Sequence, residues 1–109
     1  MKVIINSIIP FKGYIAITLF PFIFAHKELS NITYNHECIH AEQQKELLVI
    51  FFLLLYIIEY LIKFIVTFNH KKAYKSISFE QEAFKFEKDN IYRYNRKHYN
   101  WLKYIFKLI

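Results

Sequence analysis

Residues 31–68 contain no glycine or proline, so nothing in that stretch obliges the backbone to leave a helix. Its last part, residues 47–68, has Glu59 and Lys63 as its only charges. An apolar helix of that length can cross a bilayer. The two charges stand four residues apart with the glutamate first, an order that lets them neutralise each other on one side of a helix. Such a segment commits the chain to burying or embedding a large apolar helix, for which Ser30 or Asn31 offers an N-cap.

A chain of 109 residues fits one domain, residues 1–109. At 55% hydrophobic it is the reverse of a disordered composition. Cys38 has no partner, which excludes a disulfide scaffold and suits a reducing compartment. A single glycine argues against a many-stranded barrel, whose turns need positive φ repeatedly. The expected fold class is mainly α with a short N-terminal strand pair within residues 1–25. Two apolar, β-branched and aromatic runs, residues 3–9 and 14–24, flank the turn Pro10-Phe11-Lys12-Gly13. Asn6, Ser7, Pro10 and Lys12 interrupt that region and weigh against a secretory leader.

Ser78 followed by Gln81 is a capping-box pattern that predicts a helix over residues 78–92. Residues 97–109 read as a basic amphipathic helix with Trp101, Leu102, Ile105, Phe106 and Ile109 on its apolar side. Charge is uneven. Residues 1–68 hold five Lys against five Glu, while residues 69–109 hold eight Lys and two Arg against three Glu and one Asp, so the whole +6 excess lies in the later part. An anionic surface is its expected neighbour. The basic aromatic stretch 92–107 lacks an RNA-binding signature, so lipid rather than nucleic acid is the partner expected.

The residues that carry chemistry are His36, Glu37 and His40, in the run His36-Glu37-Cys38-Ile39-His40. On a helix, two residues four apart lie about 40° apart in azimuth and about 6 Å apart in height, so both imidazoles can reach one ion. Glu37, roughly 100° round the helix, flanks that ion and can take a proton from water. Cys38 and Ile39 point elsewhere, and Cys38 reads as a packing residue. A catalytic zinc site usually has three protein ligands. Glu80 and Glu82 are the acidic candidates for the third, and because they sit about 200° apart on a helix only one can face the ion. His26, His70 and His98 qualify by residue type but read as solvated surface histidines.

This arrangement resembles the membrane-associated gluzincin metallopeptidases, among them the antirepressor peptidase domain of β-lactam sensor proteins and the CAAX prenyl protease and HtpX-like group. The likeness covers residues 35–87: the His-Glu-x-x-His run, a long apolar helix, a polar turn and the run Glu80-Gln81-Glu82-Ala83. It implies a minimal zincin-like helical domain with His36, His40 and Glu80 as zinc ligands and Glu37 as general base. It departs at Phe84, where those families usually have an Asp that supports the metal site. Glu87, seven residues after Glu80 on the same helical face, is the residue available to substitute.

A Glu80 ligand in turn constrains the helix. Were residues 31–68 one straight rod, Phe68 would stand about 42 Å from His40, and the 12 residues from Phe68 to Glu80 span at most roughly 40 Å fully extended. The segment is therefore expected to kink or fold back within residues 48–60, through a π-bulge or an inserted polar group. The function expected is zinc-dependent peptide-bond hydrolysis; the alternative is a small non-catalytic membrane-associated protein whose motif is vestigial. The expected partners are a peptide or protein substrate pairing with an edge strand in residues 14–24, membrane lipid, and a second copy or partner protein completing the cleft. The expected location is the cytoplasmic membrane.

Overall fold

The computed structural model describes residues 1–10 and 13–109. The chain runs through β1 (Lys2–Ile5), β2 (Ala16–Leu19), β3 (Phe22–Ala25), α1 (Asn31–Leu47), α2 (Ile50–Thr67), α3 (His70–Ser76), α4 (Ser78–Phe86) and α5 (Tyr92–Asn95), then a 3-10 turn at Asn100–Tyr104. The fold is mainly helical with a small N-terminal sheet.

The expected strand pair is a three-stranded sheet in the order β1-β3-β2. Proline lacks the N–H that a ladder needs, so the run 14–24 divides at Phe20-Pro21 into a hairpin with Leu19 opposite Phe22. β1 pairs with β3 in parallel, Val3 opposite Ile23, so strands β1 and β2 are not neighbours. Residues 11 and 12 of the turn expected between them lie outside the described residues. β3 is central, with Ile23 and Ala25 fully buried, and β2 is an edge strand.

Ser30 caps α1, its hydroxyl accepting from the Thr33 N–H at 3.2 Å. The helix ends at Leu48, which takes a left-handed conformation at φ 53°; the N–H groups of Leu48 and Val49 both donate to the Gln44 carbonyl. The break thus falls at the start of the expected window, and its device is a left-handed cap on a leucine rather than a π-bulge or an inserted polar group. A left-handed residue that is not glycine costs roughly 1–2 kcal/mol. Packing on both sides of the break offsets it: Phe52, Ile77, Phe79 and Trp101 form the buried core, with Leu47, Leu53 and Tyr56 against them.

Two charges in α2 position α4. Lys63 Nζ donates to Glu59 Oε1 at 2.7 Å and also to the Ser76 carbonyl. Glu59 in turn accepts from the Ser78 N–H at 2.6 Å and from the Ser78 hydroxyl at 2.7 Å. The expected capping box is not formed: Ser78 lies inside α4 and donates to Glu59, while the Gln81 amide donates to the carbonyls of Ser76, Tyr104 and Lys107. A carboxylate from another helix therefore does the work of a cap at the positive end of α4.

The later elements also differ from expectation. The helix predicted over 78–92 stops at Phe86, because the Asn35 amide gathers the carbonyls of Phe86, Glu87 and Asp89 and turns the chain away. The helix predicted over 97–109 is only a 3-10 turn. Tyr99 enters it left-handed at φ 60°, and the buried Trp101 and Tyr104 recur at the three-residue spacing of that geometry. Breaking the α2 clamp should show its weight: Lys63→Met leaves the buried Glu59 without its cation, and a loss of about 3–5 kcal/mol is expected in urea unfolding. A loss under about 1 kcal/mol would mean that the pair is incidental.

Candidate metal centre

His36, Glu37 and His40 sit on the buried side of α1, and Glu80 on the first turn of α4 meets them. Glu80 Oε1 lies 3.0 Å from His36 Nε2 and 3.0 Å from His40 Nε2. One ligand atom from each of the three residues falls within 4.8 Å of the others, and all three side chains are buried. This group could hold a metal ion. Ligands on a tetrahedral ion with bonds of about 2.0–2.1 Å stand roughly 3.3 Å apart, so small movements suffice to admit one.

The far nitrogens of both rings are fixed. His36 Nδ1 lies 2.8 Å from Glu87 Oε1, which can only accept, so that nitrogen carries its hydrogen. His40 Nδ1 lies 2.8 Å from Gln43 Oε1. The Gln43 amide orientation is settled by its other end, which donates to the Phe79 carbonyl at 3.1 Å and to Glu82 Oε1 at 2.8 Å. Both imidazoles thus donate from Nδ1, which leaves Nε2 as the atom that faces the shared point, where it meets Glu80 in the metal-free site. Glu87 supports His36, and the Phe84 ring packs on the same imidazole at 4.5 Å between centroids.

Glu82 does not face the site. It accepts from Tyr92 at 2.6 Å and takes two donors from Arg96, Nε at 2.8 Å and Nη2 at 2.9 Å; Arg96 also reaches Glu46 at 3.1 Å. Arg96 and Tyr92 hold the Glu82 carboxyl below its ordinary range against the opposing effect of burial. Gln43, Glu82, Arg96 and the Tyr56 hydroxyl, which donates to Glu80 Oε2 at 2.6 Å, are supports that the sequence reading missed. Of these, only Gln43 carried a local signal, three residues after His40 on the same helical face.

Glu37 is buried beside the ligands, its Oε1 2.8 Å from the Thr18 hydroxyl on β2. Burial pushes its carboxyl upward, and the two imidazoles only partly counter that. Burial likewise opposes charge on His40, but Glu80 more than reverses the effect and raises its pKa to about 9. The imidazoles hold Glu80 well below the usual carboxylate range despite burial. Cys38 is buried, as a packing residue should be.

The remaining histidines lie outside the ligand group. His26 is not solvated as expected, since its ring contacts the Asn6 and Pro10 carbonyls at 3.0 and 2.7 Å. His98 approaches Glu46 at 3.3 Å. His70 lies between the hydroxyls of Tyr14 at 2.9 Å and Tyr60 at 2.7 Å. A cavity of about 390 Å³ opens onto Glu37, His40 and Glu80, walled by Ala16 and Ile17 of β2 on one side and by Phe52, Leu53, Tyr56 and Tyr60 of α2 on the other. Comparisons with protein-family models, with curated proteins and with solved structures found no match to this chain.

Two outcomes are expected from the site geometry. Gln43→Leu frees the His40 ring and should weaken binding of an added divalent metal by about 10- to 100-fold in a chelator competition, with the circular dichroism spectrum unchanged. Glu80 favours protonated His40 in the metal-free site, so metal uptake should release a proton, and affinity should fall as pH drops from 8 to 6, by up to about tenfold per unit. Calorimetry in buffers of different ionisation enthalpy measures that proton.

Proposed function

We propose that the chain is a zinc-dependent peptidase. The observation that carries this reading is the meeting of the His36 and His40 imidazoles with the Glu80 carboxylate, where His40 and Glu80 also line a cavity that holds the buried Glu37. Two histidines with a glutamate form a donor set suited to catalytic zinc. A zinc ion held there would polarise a scissile carbonyl and make an attacking water more acidic.

The remaining steps fall to the chain's own side chains. Glu37 accepts the proton of the attacking water and passes it to the leaving amine. Its burial suits both roles, because a carboxyl raised toward neutrality can return a proton as well as take one. Thr18 keeps Glu37 turned to the cavity. Tyr56 is engaged by Glu80, while Tyr14 and Tyr60 are engaged by His70. Tyr74 is the fourth phenol in the cavity wall and, like Tyr56, faces Glu80. Burial, with the Glu80 and Glu37 carboxylates, keeps it protonated and so able to donate to a developing oxyanion.

An extended peptide can enter along β2. Gln44 engages the Thr18 carbonyl and the Phe20 N–H, each at 2.7 Å, which leaves the Ala16 end of that edge beside the cavity. Among the described residues no Lys, Arg or Asp lines the cavity, so it favours an apolar or aromatic side chain.

The test combines metal analysis with a peptide library. Wild type should hold about one zinc and cleave beside apolar residues. Glu37→Gln should keep zinc and lose about 10²- to 10⁴-fold in turnover, and His40→Ala should lose most of its zinc. Iron in place of zinc would overturn the metal assignment. Zinc without cleavage, or cleavage unchanged in Glu37→Gln, would favour the non-catalytic alternative.

A further inference from the structure

The least accounted-for surface of the molecule is α2. Of its 18 residues only Phe52, Glu59 and Lys63 are buried. Its outward side is a continuous stripe of Ile50, Phe51, Leu54, Ile57, Ile58, Leu61, Ile62, Ile65 and Val66, every one at least half exposed and none with a polar side-chain atom. Soluble monomers rarely leave an apolar patch of that extent in water. The stripe is almost wholly aliphatic, whereas protein interfaces are enriched in aromatic residues and Arg and keep a polar rim. Both charges of the helix turn inward, each onto the other.

Contacts along α2 decide how it meets a bilayer. Lys63 reaches the Ser76 carbonyl, Glu59 holds Ser78, and Tyr56 holds Glu80. α3, α4 and the metal centre therefore lie alongside the helix as far back as its middle. If α2 stood upright across a membrane, Glu80 and both histidines would lie near the bilayer midplane. If α2 lies flat, its bare stripe enters the acyl region while the polar helices stay in water. Lys71 and Lys72, exposed at the start of α3 and four to five residues after the end of α2, are then free to meet headgroups, while the Lys75 ammonium lies over the Phe84 ring.

We propose that α2 is an in-plane anchor, seated in one leaflet of an anionic membrane by its aliphatic stripe and held by Lys71 and Lys72 against acidic headgroups. The anchor holds whether or not the metal centre is catalytic. Vesicles of phosphatidylcholine, alone and mixed with phosphatidylglycerol, provide the test by co-sedimentation. Wild type should bind both and bind the anionic vesicles more tightly. Ile58→Asp with Ile62→Asp should weaken binding to both by more than about tenfold. Lys71→Glu with Lys72→Glu should weaken only the anionic case and reduce its salt dependence. All four positions are exposed, and circular dichroism verifies folding. Tryptophan placed singly at Phe51, Ile58 or Ile65, all on the same face, should be quenched to the same depth by brominated lipids. A depth gradient along the three would show a transmembrane helix and overturn the in-plane reading. Failure to bind either vesicle, with a dimer in solution that the Asp substitutions dissociate, would show that a second copy covers the stripe.

Discussion

The Glu59 carboxylate holds the candidate site together. It sits midway along an apolar helix, paired with Lys63, and its remaining capacity is taken by the backbone and hydroxyl of Ser78. An ionised group so deep in the fold must be both paired and hydrogen-bonded. Satisfying it fixes where α4 begins, and Glu80 follows two residues later. Glu80 thus reaches the two histidines through the requirements of a charge on a different helix, not through any preference of its own segment.

The histidines are treated the same way. Each ring is held at both nitrogens, His36 between Glu87 and Glu80 and His40 between Gln43 and Glu80. Buried polar groups in a network either all find partners or destabilise the whole. Here Gln43, Glu82, Arg96 and Glu46 continue the chain of partners from His40 to the far side of α1. The His40 ring is therefore oriented by Gln43 close by, and braced behind it by Glu82 and Arg96 from much later in the sequence.

Much of this was legible from local pattern. The spacing of His36 and His40 placed both rings on one face of α1, and the reach argument required a break in residues 31–68 if Glu80 was to meet them. What could not be read was how the chain would turn. With a single glycine, the turns after α1 and α2 and the entry to the 3-10 turn fall to Leu48, Phe68 and Tyr99, all at positive φ. Such positions are set by packing around them and leave no compositional mark. The pairing of β1 with β3 and the short 3-10 turn at Asn100–Tyr104 were hidden for a similar reason. Both depend on distant partners: a parallel neighbour in one case, and the Gln81 amide drawing carbonyls from the C-terminal segment in the other.

The brace on His40 also bears on when the site can form during synthesis. Glu82 is held by Tyr92, Arg96 and Asn100, so the backing behind Gln43 is incomplete until those residues have left the ribosome. The two histidines emerge some 50 residues earlier, as bare ligands on an unbraced helix. A braced ligand group is then available only after residues 92–100 have been made, later than the appearance of the histidines themselves.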